Sequence, residues 1–264
     1  MKTAVVTGST QGIGLGLAEA FLERDCNVVI CSRHQDSVDQ TVARLVDRYP
    51  SERILGQVCD VTDFAQVQAL RDAAQARFGR IDLWVNNAGL GNVMQPVWEQ
   101  PPERLEAVVS TNIMGVMYCC KVAINGMIAQ GGGHIYNMEG FGSNGQVRAG
   151  LTPYGTTKYA IRFLTKALVK ETENTPVKIS TISPGMVVTD LLIGNVEPGQ
   201  EARARHIFNI LADRVETVTP WLVARMLEND QSGARIQWLT RPKIISRFLQ
   251  ALFRKRQVLD DDAP

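Results

Sequence analysis

Short apolar runs alternate with longer segments of helical spacing over the first two thirds of the chain. The runs that predict β-strands lie at 3–7, 27–32, 54–60, 81–86, 134–138 and 177–183. Between them apolar residues recur every three or four positions, as in Leu15, Ala18 and Leu22. Strands that are apolar almost throughout are typical of a parallel sheet with helices on both faces. The pattern therefore predicts an α/β fold with one doubly wound parallel sheet.

The pattern changes after residue 193, and we expect a single domain with a core at 1–193 and a C-terminal helical extension at 194–264. Residues 194–205 predict a loop, and a helix is expected near 207–211. Residues 241–256 hold six basic and no acidic residues, with apolar residues spaced for one helix face. We interpret this amphipathic helix as packing its apolar face on the domain or on another subunit. The alternative is peripheral contact with an anionic membrane surface. Three aspartates, Asp260, Asp261 and Asp262, follow a few residues after this segment.

Composition and charge narrow the class of protein. The 264 residues are 45% hydrophobic and 21% charged, which excludes a disordered chain and suits one large domain. Lys and Arg number 28 against 27 Asp and Glu, a formal net charge of +1 that argues against binding nucleic acid over a basic surface. No run reaches the roughly 18 apolar residues of a membrane span. The N-terminal run is too short for a signal peptide, so we expect a cytoplasmic protein without a transmembrane segment.

Cysteine and histidine positions argue against disulfides and metal sites. The five cysteines, an odd number, stand mostly in apolar runs and are expected to be buried thiols. The three histidines, His34, His134 and His206, are far apart in sequence, and no cysteine pair has the spacing of zinc ligands. We therefore expect no metal site.

A glycine-rich turn follows the first predicted strand. It reads Thr7-Gly8-Ser9-Thr10-Gln11-Gly12-Ile13-Gly14 and comes directly before a helical pattern. Glycines let the backbone approach a pyrophosphate closely, and the N-terminus of the next helix offers N–H groups to its charge. For the glycines alone, an ordinary tight turn is the alternative. The position after an N-terminal strand favours a dinucleotide site formed by residues 8–14.

The ends of the next three strands carry further candidate contacts to a dinucleotide. Ser32 and Arg33 stand where an acidic residue would bind the adenosine ribose. A guanidinium there favours the 2′-phosphate of NADPH, and the alternative is a solvated arginine at a helix start. Asp60 and Val61 are candidate cofactor contacts, and Asp60 would meet the adenine amino group or cap the following helix. The turn after the fourth strand consists of Asn87, Ala88 and Gly89. Such a turn suits a dinucleotide but is also an ordinary strand ending.

A tyrosine and a lysine are spaced to share one face of a helix. Tyr154 and Lys158 stand four residues apart in a helical pattern. A nearby ammonium favours the phenolate, so we expect the pKa of Tyr154 to be lowered from its ordinary value near 10. The pair would then act as a general acid for a carbonyl that receives hydride, or as a base for an alcohol. Taken alone, the same spacing is common on ordinary helix surfaces.

Together and in this order, these motifs resemble the short-chain dehydrogenase/reductase family over about residues 1–193, which implies a Rossmann-type fold and an oxidoreductase. The resemblance implies that Tyr154 donates the proton, that Lys158 binds the nicotinamide ribose, and that Asn112 holds a water in a proton relay. The residues implied to flank the nicotinamide are Pro184, Gly185, Val187 and Thr189. The family is commonly dimeric or tetrameric through the helices that carry Asn112 and Tyr154, which implies a homo-oligomer.

The sequence departs from the family at the end of the fifth predicted strand. The family usually closes this strand with two serines, of which the second holds the substrate oxygen, whereas in this chain Asn137-Met138 is followed by Glu139-Gly140. Ser143, in a glycine-rich loop, is the nearest hydroxyl and a candidate catalytic replacement. The alternative is an ordinary turn serine.

A closer resemblance extends beyond the general motifs. Residues 134–143, 151–158, 183–192, 206–211 and 239–244 resemble the chlorophyll b reductases of the non-yellow-coloring type. This implies reduction of the formyl group of chlorophyll b or chlorophyllide b to a hydroxymethyl group by NADPH. Plant members carry transit peptides and membrane segments that we do not find here, so we expect a compact, bacterial-type relative.

The substrate hypothesis has alternatives. A broad, apolar tetrapyrrole needs large apolar side chains, and the candidates are Met186, Leu191, Leu192, Ile207, Phe208, Ile210, Leu211 and Trp221. These residues would otherwise form the core of a helical cap. A second hypothesis is a short-chain reductase of another bulky carbonyl or alcohol, such as a steroid, polyketide or quinone. A third is a non-catalytic dinucleotide sensor, against which Tyr154 and Lys158 argue.

Overall fold

A computed structural model of the chain describes residues 1–193, 199, 201–254 and 256–259. Seven strands in this part of the chain form one sheet. The strands are β1 (Thr3–Thr7), β2 (Asn27–Ser32), β3 (Ile54–Val58), β4 (Leu83–Asn86), β5 (Gly133–Met138), β6 (Val177–Ser183) and β7 (Arg235–Gln237). All six predicted strands are present, although β3 ends two residues early and β4 begins two residues late.

The strands are all parallel and lie in the order β3-β2-β1-β4-β5-β6-β7. The order reverses at β1 and β4, which pair from Ala4 with Leu83 to Val6 with Val85. In such sheets ligands bind in the crevice at the carboxyl ends of the strands where the order reverses. The predicted doubly wound parallel sheet is confirmed, and the glycine-rich turn follows β1 at this crevice.

Ten α-helices lie within the described residues. They are α1 (Gly12–Leu22), α2 (Gln35–Val46), α3 (Phe64–Phe78), α4 (Pro102–Val109), α5 (Val116–Ala129), α6 (Thr152–Glu171), α7 (Asp190–Ile193), α8 (Glu201–Leu211), α9 (Val215–Glu228) and α10 (Arg241–Ala251). Successive strand residues point to opposite faces of the sheet. Val6 and Ile30 therefore pack with α1 and α9, whereas Val5 and Val29 pack with α3 and α5. The five cysteines are buried free thiols in these two cores, as predicted.

The helices α4 and α5 belong to one run that contains a π-helical turn at Ser110–Gly115. By length and composition alone, the run Pro102–Ala129 is long and apolar enough to cross a membrane. Its residues Cys119, Ala123 and Met127 are buried in the core beside the sheet. Buried core helices pass the same test, so this is a weak indication of a membrane span.

The extension differs from its prediction at both ends. Of the predicted loop, residues 194–198 and 200 lie outside the described residues, and α8 already begins at Glu201 because Glu, Ala and Arg are good helix formers. The helix α10 ends at Ala251 instead of 256, because the chain turns back and Arg256 donates to the carbonyl oxygens of Ile210 and Ala212. The three aspartates at 260–262 also lie outside the described residues.

A buried carboxylate organises this extension. Asp213 accepts hydrogen bonds from Trp238 Nε1 at 2.6 Å and from Arg256 Nη2 at 2.9 Å. Arg247 Nη2 donates to both carboxylate oxygens, at 2.6 and 2.9 Å. Burial by itself would raise the pKa of Asp213, but the bonds from Trp238 and Arg247 outweigh it and hold the pKa below its ordinary value. Ion pairs therefore hold α10 on the rest of the extension.

Most apolar residues of α10 and of the turn after it point away from the domain. Ile245, Phe248 and Leu249 of the helix and Leu252 and Phe253 of the turn are 61%, 42%, 57%, 75% and 90% exposed. Arg247 is buried instead, because Asp213 compensates its charge. The expectation that α10 packs its apolar face on its own domain is therefore wrong.

Candidate active site

The glycine-rich turn after β1 leaves no room for side chains. Gly8 and Gly12 have φ angles of 62° and 53°, a left-handed conformation that favours glycine. A Cβ on Gly14 would lie 2.1 Å from the carbonyl oxygen of Gly8 and 2.5 Å from Nδ2 of Asn87. The first turn of α1 follows directly, and the N–H groups of a first helical turn lack partners within the helix. A bare backbone beside a helix N-terminus fits a pyrophosphate.

Ser9 within this turn serves the fold. Its buried hydroxyl donates to the carbonyl oxygen of Val6 at 2.7 Å and accepts from the N–H of Cys31 at 2.9 Å. Ser9 thereby ties β1 to β2. Thr10, Gln11 and Ile13 in the same turn are at least partly exposed.

The turn after β4 is bonded to the glycine-rich turn. Asn87 Nδ2 donates to the carbonyl oxygens of Thr7 and Gly8, at 2.8 and 3.0 Å. The Thr7 hydroxyl accepts from the N–H groups of Asn87 and Ala88, both at 3.0 Å. The two turns predicted to contact a dinucleotide are therefore one connected structure at the crevice.

The ends of β2 and β3 complete this edge of the sheet. Ser32 is half-buried at the end of β2, and Arg33 after it is exposed. Asp60 Oδ1 accepts from the N–H and the hydroxyl of Thr62, at 2.9 and 2.7 Å. The suggested capping of α3 by Asp60 is wrong, because Asp63 is the N-cap and accepts from two N–H groups of the first turn. Asp60 instead stiffens the turn before the helix.

Tyr154 and Lys158 lie on one face of α6, as their spacing predicted. Lys158 Nζ lies 5.6 Å from the centroid of the Tyr154 ring and donates to the carbonyl oxygen of Met138 at 3.2 Å. A Cβ on Gly140 would lie 2.3 Å from the Tyr154 hydroxyl. The glycine after β5 therefore makes the space in which the phenol sits.

Burial controls the protonation of this pair. It raises the pKa of Tyr154 to about 12. It lowers the pKa of Lys158 to about 8, an effect that the Glu139 carboxylate partly opposes. The expected lowering of the Tyr154 pKa is therefore wrong, because the cost of desolvating the phenolate exceeds its attraction to an ammonium that is bonded elsewhere. With its pKa raised in this way, Tyr154 holds its proton at neutral pH and is in the form that a proton donor needs.

Asn112 lies in the π-helical turn and is buried. Its Nδ2 donates to the carbonyl oxygen of Leu90 at 2.9 Å and to the hydroxyl of Thr157 at 3.0 Å. Its Oδ1 accepts from the N–H of Leu90 at 2.8 Å and would lie 3.2 Å from a Cβ on Gly89. The Thr157 hydroxyl also donates to the carbonyl oxygen of Tyr154 at 2.8 Å. Asn112 thus fastens the turn after β4 to the helix that carries Tyr154.

Ser143 is bonded to the acidic residue that ends β5. Its hydroxyl donates to Glu139 Oε2 at 3.2 Å, and both side chains are buried. The same oxygen accepts from Arg235 Nε at 2.7 Å and pairs with Arg235 Nη2 at 2.6 Å. Glu139 Oε1 is buried and has no hydrogen-bond partner among the described residues. A carboxylate paired with an arginine of β7 therefore stands where the family places a serine.

The segment after β6 contacts both the glycine-rich turn and the extension. Thr189 Cγ2 would lie 3.4 Å from a Cβ on Gly12. Val187 forms a β-bridge with Asp213, the residue that organises the extension. The other predicted residues of this segment are Pro184, which is buried, and Gly185, which is exposed. The segment predicted to flank a nicotinamide therefore lies against the glycine-rich turn on one side and is bonded to the extension on the other.

The family of the chain follows from its match to a protein-family model. The model for short chain dehydrogenase matches residues 2–198 of the chain. The chain belongs to the short-chain dehydrogenase family. It is an NAD(P)-dependent oxidoreductase, as its motifs predicted.

Relatives of this short-chain dehydrogenase include plant reductases. Chlorophyll(ide) b reductase NOL of Oryza sativa subsp. japonica is 39% identical over 257 residues, which cover 94% of this chain and 74% of that protein. Probable chlorophyll(ide) b reductase NYC1 of Arabidopsis thaliana is 34% identical over 98% of this chain and 55% of that protein. The chain therefore spans about half the length of the NYC1 relative. The resemblance stated from the sequence is confirmed.

A solved relative shows the same architecture. The gluconate 5-dehydrogenase from Burkholderia cenocepacia, in complex with NADP and tartrate, has a TM-score of 0.76 and 27% identity, and the match covers 89% of this chain and 93% of that one. The Rossmann-type fold is confirmed. The cofactor of this short-chain dehydrogenase is a nicotinamide dinucleotide.

Several candidates for a tetrapyrrole pocket lie in the core of the extension. Phe208, Ile210 and Leu211 are buried, and Trp221 packs edge-on against Trp238 at 5.3 Å between ring centroids. For Phe208, Ile210 and Leu211 the cap interpretation is correct. The candidates that remain partly or largely exposed are Met186, Leu191, Leu192, Ile207 and Trp221.

Further groups hold the site together without any motif in the sequence that marks them. Asn92 Oδ1 accepts from the N–H of Tyr154 at 3.1 Å, and its Nδ2 donates to the carbonyl oxygen of Gly150 at 2.6 Å. These partners are 62 and 58 residues away, so no local pattern marks Asn92. Val61, predicted as a cofactor contact, is buried against the π-helical turn, where a Cβ on Gly115 would lie 2.7 Å from its Cγ2. The sequence carries no sign of that turn either.

Proposed function

We propose that this short-chain dehydrogenase uses NADPH to reduce the formyl group of chlorophyll b or chlorophyllide b to a hydroxymethyl group. The observation that carries the proposal is the extent of its likeness to the NOL reductase. The 39% identity covers 94% of the chain and so reaches well into the extension. The general family model ends at residue 198. A shared extension beside the active site supports a shared substrate class.

The residues present fit the proposed cofactor. The glycine-rich turn and the N-terminus of α1 would hold the pyrophosphate, and the turn of Asn87, Ala88 and Gly89 would lie along the dinucleotide. Arg33, exposed at the end of β2, would bind a 2′-phosphate, which supports NADPH. When bound, the cofactor supplies a hydride to the carbonyl carbon.

Tyr154 supplies the other half of the reaction. Reduction of an aldehyde adds a hydride to its carbon and a proton to its oxygen. Because burial raises its pKa to about 12, Tyr154 holds its proton until negative charge develops on the substrate oxygen. The Lys158 ammonium then stabilises the phenolate that is formed. Both Nδ2 donors of Asn112 are bonded to protein groups, so a relay water would use its Oδ1 or its backbone.

Ser143 is the proposed donor to the substrate oxygen. Its hydroxyl would exchange Glu139 for the substrate as acceptor, while Arg235 keeps the carboxylate in place. We expect Ser143→Ala to lower kcat about 100-fold, the effect of removing one oxyanion donor. Glu139→Gln should have a smaller effect, because an amide oxygen still accepts from Ser143. A larger effect of Glu139→Gln would assign the role to Glu139.

The proposal is tested with purified full-length protein, NADPH and chlorophyllide b or chlorophyll b. We expect the absorption and the chromatographic mobility of the pigment to change to those of the hydroxymethyl product. Without NADPH the pigment should remain unchanged. Reduction of steroid or quinone carbonyls with no pigment product would replace this function by the second hypothesis.

We also propose that the protein is a homo-oligomer. The helices α5 and α6, which the family resemblance implies as contact surfaces, expose Met117, Tyr159 and Phe163. Large apolar side chains exposed on these two helices support a covered surface. Sedimentation velocity of the purified protein measures its mass, and a monomer at micromolar concentration would contradict the proposal.

A further inference from the structure

Five exposed apolar side chains lie on and directly after α10, and they are here called the α10 patch. Ile245, Phe248 and Leu249 belong to the helix, and Leu252 and Phe253 lie in the turn that follows it. Their spacing by three and four is that of one helix face, and the turn continues it through bonds from the N–H of Leu252 to Leu249 O and from the N–H of Phe253 to Gln250 O. Contiguous apolar patches on a protein surface mark contact sites.

The orientation of α10 is fixed by contacts on its opposite face. Arg247 donates to both oxygens of Asp213 and, through Nη1, to the carbonyl oxygen of Leu211 at 2.6 Å. Ile244 and Ala251 pack against the apolar cluster that contains Leu211. Rotating the patch inward would leave Arg247 and Asp213 as unpaired charges, which is strongly unfavourable. The outward direction of the α10 patch is therefore built into the fold.

The charges around the α10 patch indicate what covers it. Arg241 and Arg254 are exposed at its two ends. The sequence has no acidic residue between Asp230 and Asp260. Two copies joined patch to patch would bring these cations together without acidic partners from α10, whereas anionic lipid headgroups complement them.

We propose that the α10 patch docks on an anionic lipid surface. The apolar side chains would enter the boundary between headgroups and acyl chains, and Arg241 and Arg254 would lie among the headgroups. This proposal stands whether or not the substrate is a tetrapyrrole. It describes peripheral contact through a helix that lies in the plane of the lipid surface.

Vesicle co-sedimentation of the full chain tests the proposal. We expect binding to vesicles of phosphatidylcholine with phosphatidylglycerol, weak binding to phosphatidylcholine alone, and a decrease with added salt because salt screens exposed charges. The double variant Phe248→Ser, Leu252→Ser should bind at least about tenfold more weakly, because two apolar side chains no longer leave water. Arg254→Gln should bind about fivefold more weakly. The matched control is Trp98→Ser, an apolar residue that is 81% exposed elsewhere, and it should bind like wild type.

Three results would overturn the proposal. The first is equal binding to neutral and anionic vesicles, and the second is an equal loss in the Trp98 control and the double variant. The third is a double variant that keeps vesicle binding but has a lower mass in sedimentation velocity, which would mean that a second copy covers the patch. Arg254→Gln and the salt dependence supply the same test if the double variant has a lower melting temperature than wild type.

Discussion

The strands of the core and the helix α10 of the extension place apolar and charged residues in opposite ways. In the core, strand residues such as Val5 and Val29 are fully buried. In the extension, Arg247 is buried while Leu252 is 75% exposed. Apolar burial is spread over many non-directional contacts, whereas a buried ion pair depends on each of its partners. The two regions should therefore respond differently to single substitutions.

The largest effect is expected on turnover, from a substitution in the core that leaves stability unchanged. Tyr154→Phe removes the proton donor and should lower kcat about 1,000-fold. Dinucleotide binding and the free energy of unfolding should stay close to wild type, because the ring is retained. Steady-state kinetics, a fluorescence titration of the dinucleotide and urea unfolding measure the three quantities. Unchanged turnover would remove Tyr154 from the mechanism.

The next effect concerns the stability of the extension. Arg247→Met leaves Asp213 buried with fewer partners and should lower the free energy of unfolding by about 3 kcal/mol. Arg241→Met, on the same helix but exposed, should change it by less than about 0.5 kcal/mol. Urea unfolding of both variants compares a buried with an exposed arginine. Equal effects would show that the ion pair does not hold the extension.

A pH titration distinguishes the two regions by the groups they bury. Burial lowers the pKa of His134, in β5, to about 4. Between its ordinary value near 6.5 and that pH, the unfolded chain binds a proton that the folded chain does not, so stability falls as the pH falls. From pH 7 to pH 5 this group should remove about 2 kcal/mol. Because the pKa of Asp213 is lowered, the stability that its ionised form contributes is lost only at lower pH, below the ordinary pKa near 4.

The measurement is urea unfolding of wild type and His134→Gln at pH 7 and pH 5. The variant should lose less stability than wild type over this interval. If both lose the same amount, another group causes the pH dependence and His134 does not distinguish the regions.

The smallest effect is expected at the edge of the core. Arg33→Ala should weaken NADPH binding about tenfold, since a charged hydrogen bond to the 2′-phosphate is lost, and leave NADH binding unchanged. Arg44→Ala, an exposed arginine in the last turn of α2, is the control. Fluorescence titrations with both cofactors give the ratio. Equal weakening of NADPH and NADH would make Arg33 an ordinary surface residue.

The core could be predicted from the sequence because its determinants are local. Apolar strands, a glycine-rich turn at Gly8 and the spacing of Tyr154 and Lys158 each lie within a few residues. The extension could not, because Asp213 is 34 residues from Arg247 and 43 from Arg256. An amphipathic pattern predicts that the apolar face of α10 points inward. The carboxylate of Asp213 instead holds Arg247 inward, so that the apolar face points outward.

The candidate site shows the same limit. The sequence predicted which residues stand at the strand ends but not how Tyr154 is protonated, because that depends on burial. The boundary at residue 193 and the cytoplasmic location stay predictions.

The π-helical turn at Ser110–Gly115 has a consequence for how this chain can evolve. A π-helical turn accommodates one residue more than an α-helical turn. In a regular α-helix such an added residue would rotate everything that follows by about 100°. The wider turn absorbs it, so Cys119 and Ala123 of α5 stay in the core. Homologous chains that lack the extra residue should therefore have a regular α-helix from α4 to α5 with the same buried face.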